Sequence, residues 1–179
     1  LAQVQGVYGV LDIINSGSAM ELDEQTIQEI KRVVKQRNIH TLWFEAHYMY
    51  RHQLTKFALQ FPDVHVKFRC GIESFDGALR EQWMKGVNAD VTAEDVAQYF
   101  QGVCLLACTV GDSKERILKD IALAEQHFEY ASVNVFCENT THVKLDRELA
   151  TWFVNVVYPE LKQSKKIEIL INNTDLGVG

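Results

Sequence analysis

Val103–Cys137 reads VCLLACTVGDSKERILKDIALAEQHFEYASVNVFC, and the order of residues in this stretch sets the fold class. Its first run, Val103 to Thr109, is nearly continuously apolar, as expected of a parallel strand covered on both faces. Ser113 then opens a segment of helical period with Ile117, Leu118, Ile121 and Ala124 on one stripe. A second β-rich run follows at Ser132 to Cys137. Strand, helix and strand in that order make a βαβ unit with a right-handed crossover.

The alternation continues in both directions. Further strands are expected at Val10 to Ile14, Thr41 to Glu45, Val64 to Arg69 and Ile167 to Ile171. Ile27, Ile30, Val33 and Val34 form a helical stripe behind a cap at Asp23. Thr92 with Asp95 has capping-box spacing ahead of Val96, Tyr99 and Phe100. A last helix carries Leu149, Trp152, Phe153, Val156 and Val157, with Pro159 near its end. Six strands in this order fit an open doubly wound sheet or a partial barrel. The expected architecture is an α/β parallel partial TIM-type barrel of about six strands. No linker or change of composition divides residues 1–179, so one domain is expected, and Gly86 to Val91 reads as an ordinary loop between two helices.

Of 179 residues, 47% are hydrophobic and 23% charged, which suits a globular domain with a substantial core. A net charge of -6 and a pI near 5.5 disfavour direct nucleic-acid binding, which needs a concentrated basic face. Neither a signal pattern nor a run of about 18 apolar residues appears, so no membrane partner is expected. Leu1 in place of an initiator methionine reads as a processed or truncated start. Cys70, Cys104, Cys108 and Cys137 follow no disulfide or zinc spacing, and a reducing cytoplasm is the expected compartment. On one strand Cys104 and Cys108 would stand roughly 13 Å apart, so no metal site is expected from them and the thiols read as buried and structural.

Ligand sites of parallel α/β proteins lie at the carboxyl ends of the strands. Those ends are Asn15, Ser16, Gly17 and Ser18; Glu45 and His47; Arg69, Gly71, Glu73 and Ser74; Thr109, Gly111 and Asp112; Glu138 and Asn139; and Asn172 to Asp175. Together they describe a pocket for a polar small molecule with an amine or ribose. The same residues also suit helix caps and solvated turns. His47 and Arg51, four apart, can face one ligand on a helical turn, and His47 can equally be a satisfied cap. Glu81 and Lys85 have the spacing of an ion pair on a solvated helix face. Dinucleotide, Walker, nucleophile-elbow and zinc-protease motifs are absent.

The segment Arg69-Cys70-Gly71-Ile72-Glu73-Ser74-Phe75-Asp76, followed by Arg80 and Lys85-Gly86, resembles the fourth-strand motif of radical S-adenosylmethionine (SAM) enzymes, where a GIES-type turn meets the cofactor. Asn15, Ser16, Gly17 and Ser18 take the place of that family's second-strand loop, which receives the cofactor's amino group, although they depart from its GGE pattern. Thr109-Val110-Gly111-Asp112 resembles the fifth-strand loop near the adenine. The resemblance implies a cofactor set of Asn15, Ser16, Gly17, Ser18, Gly71, Glu73, Ser74 and Thr109. It also implies Glu45, His47 and Lys85 acting on substrate, and Arg51, Glu138, Asn172 and Asp175 contacting it. The grouping of Glu45, His47 and Arg51 resembles that of base-salvage lyases acting on queuine-like compounds.

The family's CxxxCxxC loop, which holds a [4Fe-4S] cluster through three thiolates, has no counterpart in this sequence. The resemblance therefore implies strands two onward of the fold. It implies a cluster only if a segment outside these residues supplies its ligands, and no radical chemistry without one. Two other readings remain at this level: a binding module without redox chemistry, and a TIM-like lyase or hydrolase using Glu45 and Glu73 as acid and base.

Overall fold

The computed structural model describes residues 8–15, 17–140 and 142–172. Its six strands are β1 (Val10–Ile13), β2 (Thr41–Ala46), β3 (His65–Glu73), β4 (Gly102–Ala107), β5 (Tyr130–Val135) and β6 (Ile167–Leu170). They form one sheet in the order β1 to β6, with every neighbouring pair parallel. Because the order never reverses, right-handed crossovers carry the helices to one face, which excludes the doubly wound alternative. The sheet curls around its other face into half a barrel, the partial TIM-type fold read from the sequence.

Between the strands lie α1 (Glu24–Gln36), α2 (Leu54–Ala58), α3 (Gly77–Gln82), α4 (Ala93–Ala97), α5 (Lys114–His127), α6 (Arg147–Trp152) and α7 (Tyr158–Leu161). Their starts follow the local capping chemistry. Asp23 accepts from the Thr26 N–H at 2.7 Å, Ser113 accepts from the Arg116 N–H at 3.1 Å, and Thr92 with Asp95 closes a capping box. Leu118 and Val156, both read into helical stripes, are each 48% exposed, because they fall on the edge of stripes that their buried neighbours Ile117 and Val157 already fill. Pro159 lies inside a continuous run, not beyond its end: a π-turn at Phe153–Val157 joins α6 to α7 and accommodates a residue that has no N–H to donate.

Side chains alternate across the sheet. Leu42, Phe44 and Ala46, then Phe68 and Cys70, then Val103, Leu105 and Ala107 pack into the core beneath the helices. Phe44 is the centre of an aromatic cluster with Phe57, Phe61 and Phe68 at centroid distances of 5.1 to 6.1 Å. The large aromatics at these positions are thus core, worth several kilocalories of burial between them. The opposite register carries Asp12, Glu45, Arg69, Cys104, Ser132 and Asn134, so the concave face is polar where the convex face is oil-like.

Two boundaries differ from the sequence reading in ways that matter. β3 runs on past Arg69 to Glu73, and β4 stops at Ala107, leaving Cys108 and Thr109 outside the strand. Cys108 takes a positive φ of 68°, so the straight-strand spacing assumed for Cys104 and Cys108 does not apply.

Candidate active site

The concave face and the strand ends open into a cleft of about 720 Å³, lined among others by Glu45, Arg69, Glu73, Lys85, Cys104 and Asn172. Its size lies within the range of small-molecule sites. β3 supplies the most irregular wall. Cys70 pairs with Val103 but Glu73 pairs with Leu105, so one extra residue bulges between them. Glu73 also sits at φ 66°, a conformation unfavourable for a residue with a β-carbon. By alternation Glu73 shares the cleft-facing register of Arg69 and Gly71; the bulge sets it opposite the core residue Leu105, and with its positive φ the carboxylate still lines the cleft. Two positions earlier, a β-carbon on Gly71 would stand 3.2 Å from Glu45 Oε1 and 3.7 Å from Glu73 Oε1. The missing side chain leaves a niche facing both carboxylates.

The charges of the cleft are interlocked. Arg69 is ion-paired with Asp12 across the intervening strand β2, and its guanidinium lies 5.7 Å from the Tyr130 ring. Lys85 Nζ donates to Glu73 Oε1 at 2.8 Å, with both side chains largely shielded. Burial pulls the Lys85 ammonium down, but Glu73 and then Glu45 outweigh it, and the net pKa is raised, so Lys85 is a cation at neutral pH. No described residue donates a hydrogen bond to Glu45. Desolvation raises its carboxyl above the ordinary 4.5, against the opposing pull of Arg69 and Lys85.

A stability test follows from that sign. The native state holds the Glu45 proton more tightly than the unfolded chain, so this group favours folding below about pH 4.5 and loses that contribution as pH rises through the raised value. Glu45→Gln is expected to raise the thermal midpoint of the ligand-free chain at pH 7, with the gain fading as pH falls toward 4.5. Scanning calorimetry across that range checks it, and an unchanged midpoint at pH 7 contradicts a desolvated carboxylate.

Lys85 arrives in the cleft by a route the sequence reading did not foresee. α3 ends at Gln82, so Lys85 lies beyond the helix and pairs with Glu73 instead of Glu81. Gly86 follows at φ 67°, a conformation that favours glycine, and turns the chain. The Gly86 to Val91 loop is not ordinary either. Arg80, fully buried, donates to the carbonyls of Ser74 at 2.9 Å, Asn88 at 2.8 Å, Ala89 at 3.1 Å and Val91 at 2.9 Å. His47 makes a third tie: its Nδ1 accepts from the Met49 N–H at 3.2 Å, which leaves Nε2 to donate to the Lys85 carbonyl at 2.7 Å. Its own backbone N–H donates to Ser18 Oγ at 2.9 Å, joining the loops after β1, β2 and α3.

The other sequence candidates divide clearly. Glu45, Glu73, Lys85, Asn139 and Asn172 line the cleft. His47 caps a short 3-10 turn, Tyr48–Gln53, and holds backbone instead of lining the cleft. Arg51 stacks 4.6 Å over Tyr48 and lines a separate small cavity with Asp90 and Asp95. Ser74 is buried with its hydroxyl donating to Asp120 at 2.7 Å, inside a network that also holds Arg116 and Asp112. Thr109 is buried and bridges to Leu145. Glu138 is exposed. Asn15 donates to the Ser18 carbonyl at 3.3 Å, and Gly17 lies where a β-carbon would strike Glu21. Neither they nor Ser18 line the cleft. Ser16 and Asp175 lie outside the described residues.

Sequence reasoning passed over Trp83, Cys104 and Asn134 as wall residues. A period-two reading back along each strand from its end would have found Cys104 and Asn134, since they share the register of Glu45. Trp83 follows the end of α3 and offered no such signal.

The cysteines do not suit an iron-sulfur cluster. Cys70 faces the core, Cys104 faces the cleft, and Cys108 and Cys137 stand past the ends of β4 and β5. Burial pushes the Cys104 thiol up to about 12, with the Glu45 charge adding to it, so it remains protonated at neutral pH. Among the described residues no group of three His, Cys, Asp or Glu side chains is placed to hold a metal. No described helix is long and apolar enough to cross a membrane.

No family model matches the chain, and no curated protein does. Among solved structures it is similar to queuine lyase from Clostridium spiroforme bound to SAM and queuine, at 33% sequence identity and a TM-score of 0.90, over 99% of this chain and 76% of that one.

Proposed function

Because this chain belongs to the radical S-adenosylmethionine superfamily, we propose that its cleft binds SAM together with a polar small-molecule substrate of the queuine type. The observation that carries the reading is the convergence of Glu45, Glu73 and Lys85 on one cleft of suitable volume at the carboxyl ends of a half-barrel so similar to a SAM-bound lyase. Glu73 is the residue proposed to hold the cofactor, and the niche over Gly71 lets a second ligand approach the backbone of β3 beside it. Glu45, Lys85, Asn139 and Asn172 are proposed to meet the substrate. His47 and Ser74 contribute by holding the Lys85 backbone and the turn after Glu73.

SAM, on one-electron reduction, supplies a hydrogen-abstracting adenosyl group. These 179 residues hold no set of thiolates for the cluster that delivers such an electron, so the reading assigns them binding and positioning only. What the side chains do in that role follows from their charges. Lys85, held protonated by Glu73, presents a cation to a carboxylate or hydroxyl of a bound ligand.

Titration calorimetry of the chain with SAM tests the reading. One binding event per chain is expected, weakened by Glu73→Gln. Heat of dilution alone would overturn the assignment.

A further inference from the structure

Of the two carboxylates that line the cleft, one has a hydrogen-bonding partner among the described residues and one does not. Asp12 is engaged by Arg69, and Glu73 by Lys85. Both cations are therefore committed, and Glu45 is left facing the cleft without a donor among the described residues. A shielded carboxylate in that position is costly in the ligand-free chain, and a protein relieves the cost when a donor arrives. Both cations that line the cleft are taken, Arg69 by Asp12 outside that lining and Lys85 by Glu73, so the surplus charge of the cleft is that of Glu45.

Space for the donor lies beside the surplus. An atom at the position of a Gly71 β-carbon would stand 3.2 Å from Glu45 Oε1, so a donor there reaches Glu45 with a small shift, while Glu73 Oε1, already held by Lys85, stands 3.7 Å away. A neutral hydroxyl there would satisfy one lone pair and leave the charge unmatched. A protonated amine satisfies both.

We propose that Glu45 is a specificity-determining residue that receives a protonated amine of the substrate in the niche over Gly71, so that the substrates of this cleft are small polar molecules bearing a basic nitrogen. This rests on the binding role proposed above, and SAM brings an ammonium group of its own, so the test must separate the two sources. The probes are queuine, whose side chain is joined through a secondary amine, its analogue with an ether oxygen in place of that nitrogen, and SAM. Each is titrated calorimetrically at pH 7 into the wild-type chain, Glu45→Gln and Glu45→Asp.

The wild-type chain is expected to bind the amine at least about tenfold tighter than the ether. Glu45→Gln should reduce that preference to about twofold or less while its SAM affinity stays within about twofold of wild type, and Glu45→Asp should restore part of the preference. Three results overturn the inference: no preference for the amine in the wild-type chain, a preference that survives Glu45→Gln, or a Glu45→Gln chain that loses SAM instead. Amine preference in a chain that fails to bind SAM would overturn the cofactor assignment and leave the role of Glu45 standing.

Discussion

Arg80→Met is expected to destabilise the chain by about 3–5 kcal/mol, read as a shift in the urea unfolding midpoint. The side chain is fully buried, and four backbone carbonyls, those of Ser74, Asn88, Ala89 and Val91, depend on it. Methionine keeps much of the packing volume and removes every donor, so the buried Ser74 carbonyl and those of Ala89 and Val91 lose the guanidinium, while Asn88 keeps the Val91 N–H. Burial also pulls the Arg80 pKa down, with Asp120 and Asp76 opposing, and the group still carries its charge as arginine. Lysine is a poor substitute, because one ammonium lacks the planar fork that reaches two segments of chain at once. The expected functional companion is weaker ligand binding, since the loop that Arg80 clamps begins at Gly86, directly after Lys85. A loss of about 1 kcal/mol or less would mean that the loop stands without its clamp.

Gly71→Ala is expected to reduce affinity for an amine-bearing ligand by about 30-fold or more while leaving the fold intact, a loss equal to one charge-assisted hydrogen bond. Its β-carbon would enter the niche 3.2 Å from Glu45 Oε1. That neighbour is the far end of a flexible side chain, and Gly71 does not have the positive φ that penalises alanine, so stability should change by no more than about 1 kcal/mol. A ligand nitrogen would be pushed away from both carboxylates together. Calorimetric titration beside a thermal melt separates the two effects. Retained affinity in a well-folded Gly71→Ala chain would place the ligand elsewhere in the cleft.

The strands and helices were legible because each is written locally. Apolar runs such as Thr41 to Glu45 and single caps such as Asp23, Thr92 and Ser113 act over a few residues, and the structure has each of them in the expected element. The carboxyl-end rule then brought Glu45 and Glu73 to one place, as the cleft confirms for their positions. Two other strand-end residues that it selects do not line the cleft. Ser74 and Thr109 follow strands as a ligand-binding residue would, yet both are buried in internal contacts.

The sequence by itself determined the order of strands and helices, the parallel sheet and the polar ends of its strands, because periodicity and capping act within one turn or one strand. Only the tertiary structure decided which charges meet. Asp12 and Arg69 are 57 residues apart, Ser74 and Asp120 are 46 apart, and Lys85 and Glu73 are joined across a helix and a bulge. A charged side chain takes the partner that burial leaves within reach, not the one at helical spacing, and so Lys85 left Glu81 for Glu73. The same partition leaves Glu45 without a hydrogen-bond donor among the described residues, a consequence visible only once the other charges are matched.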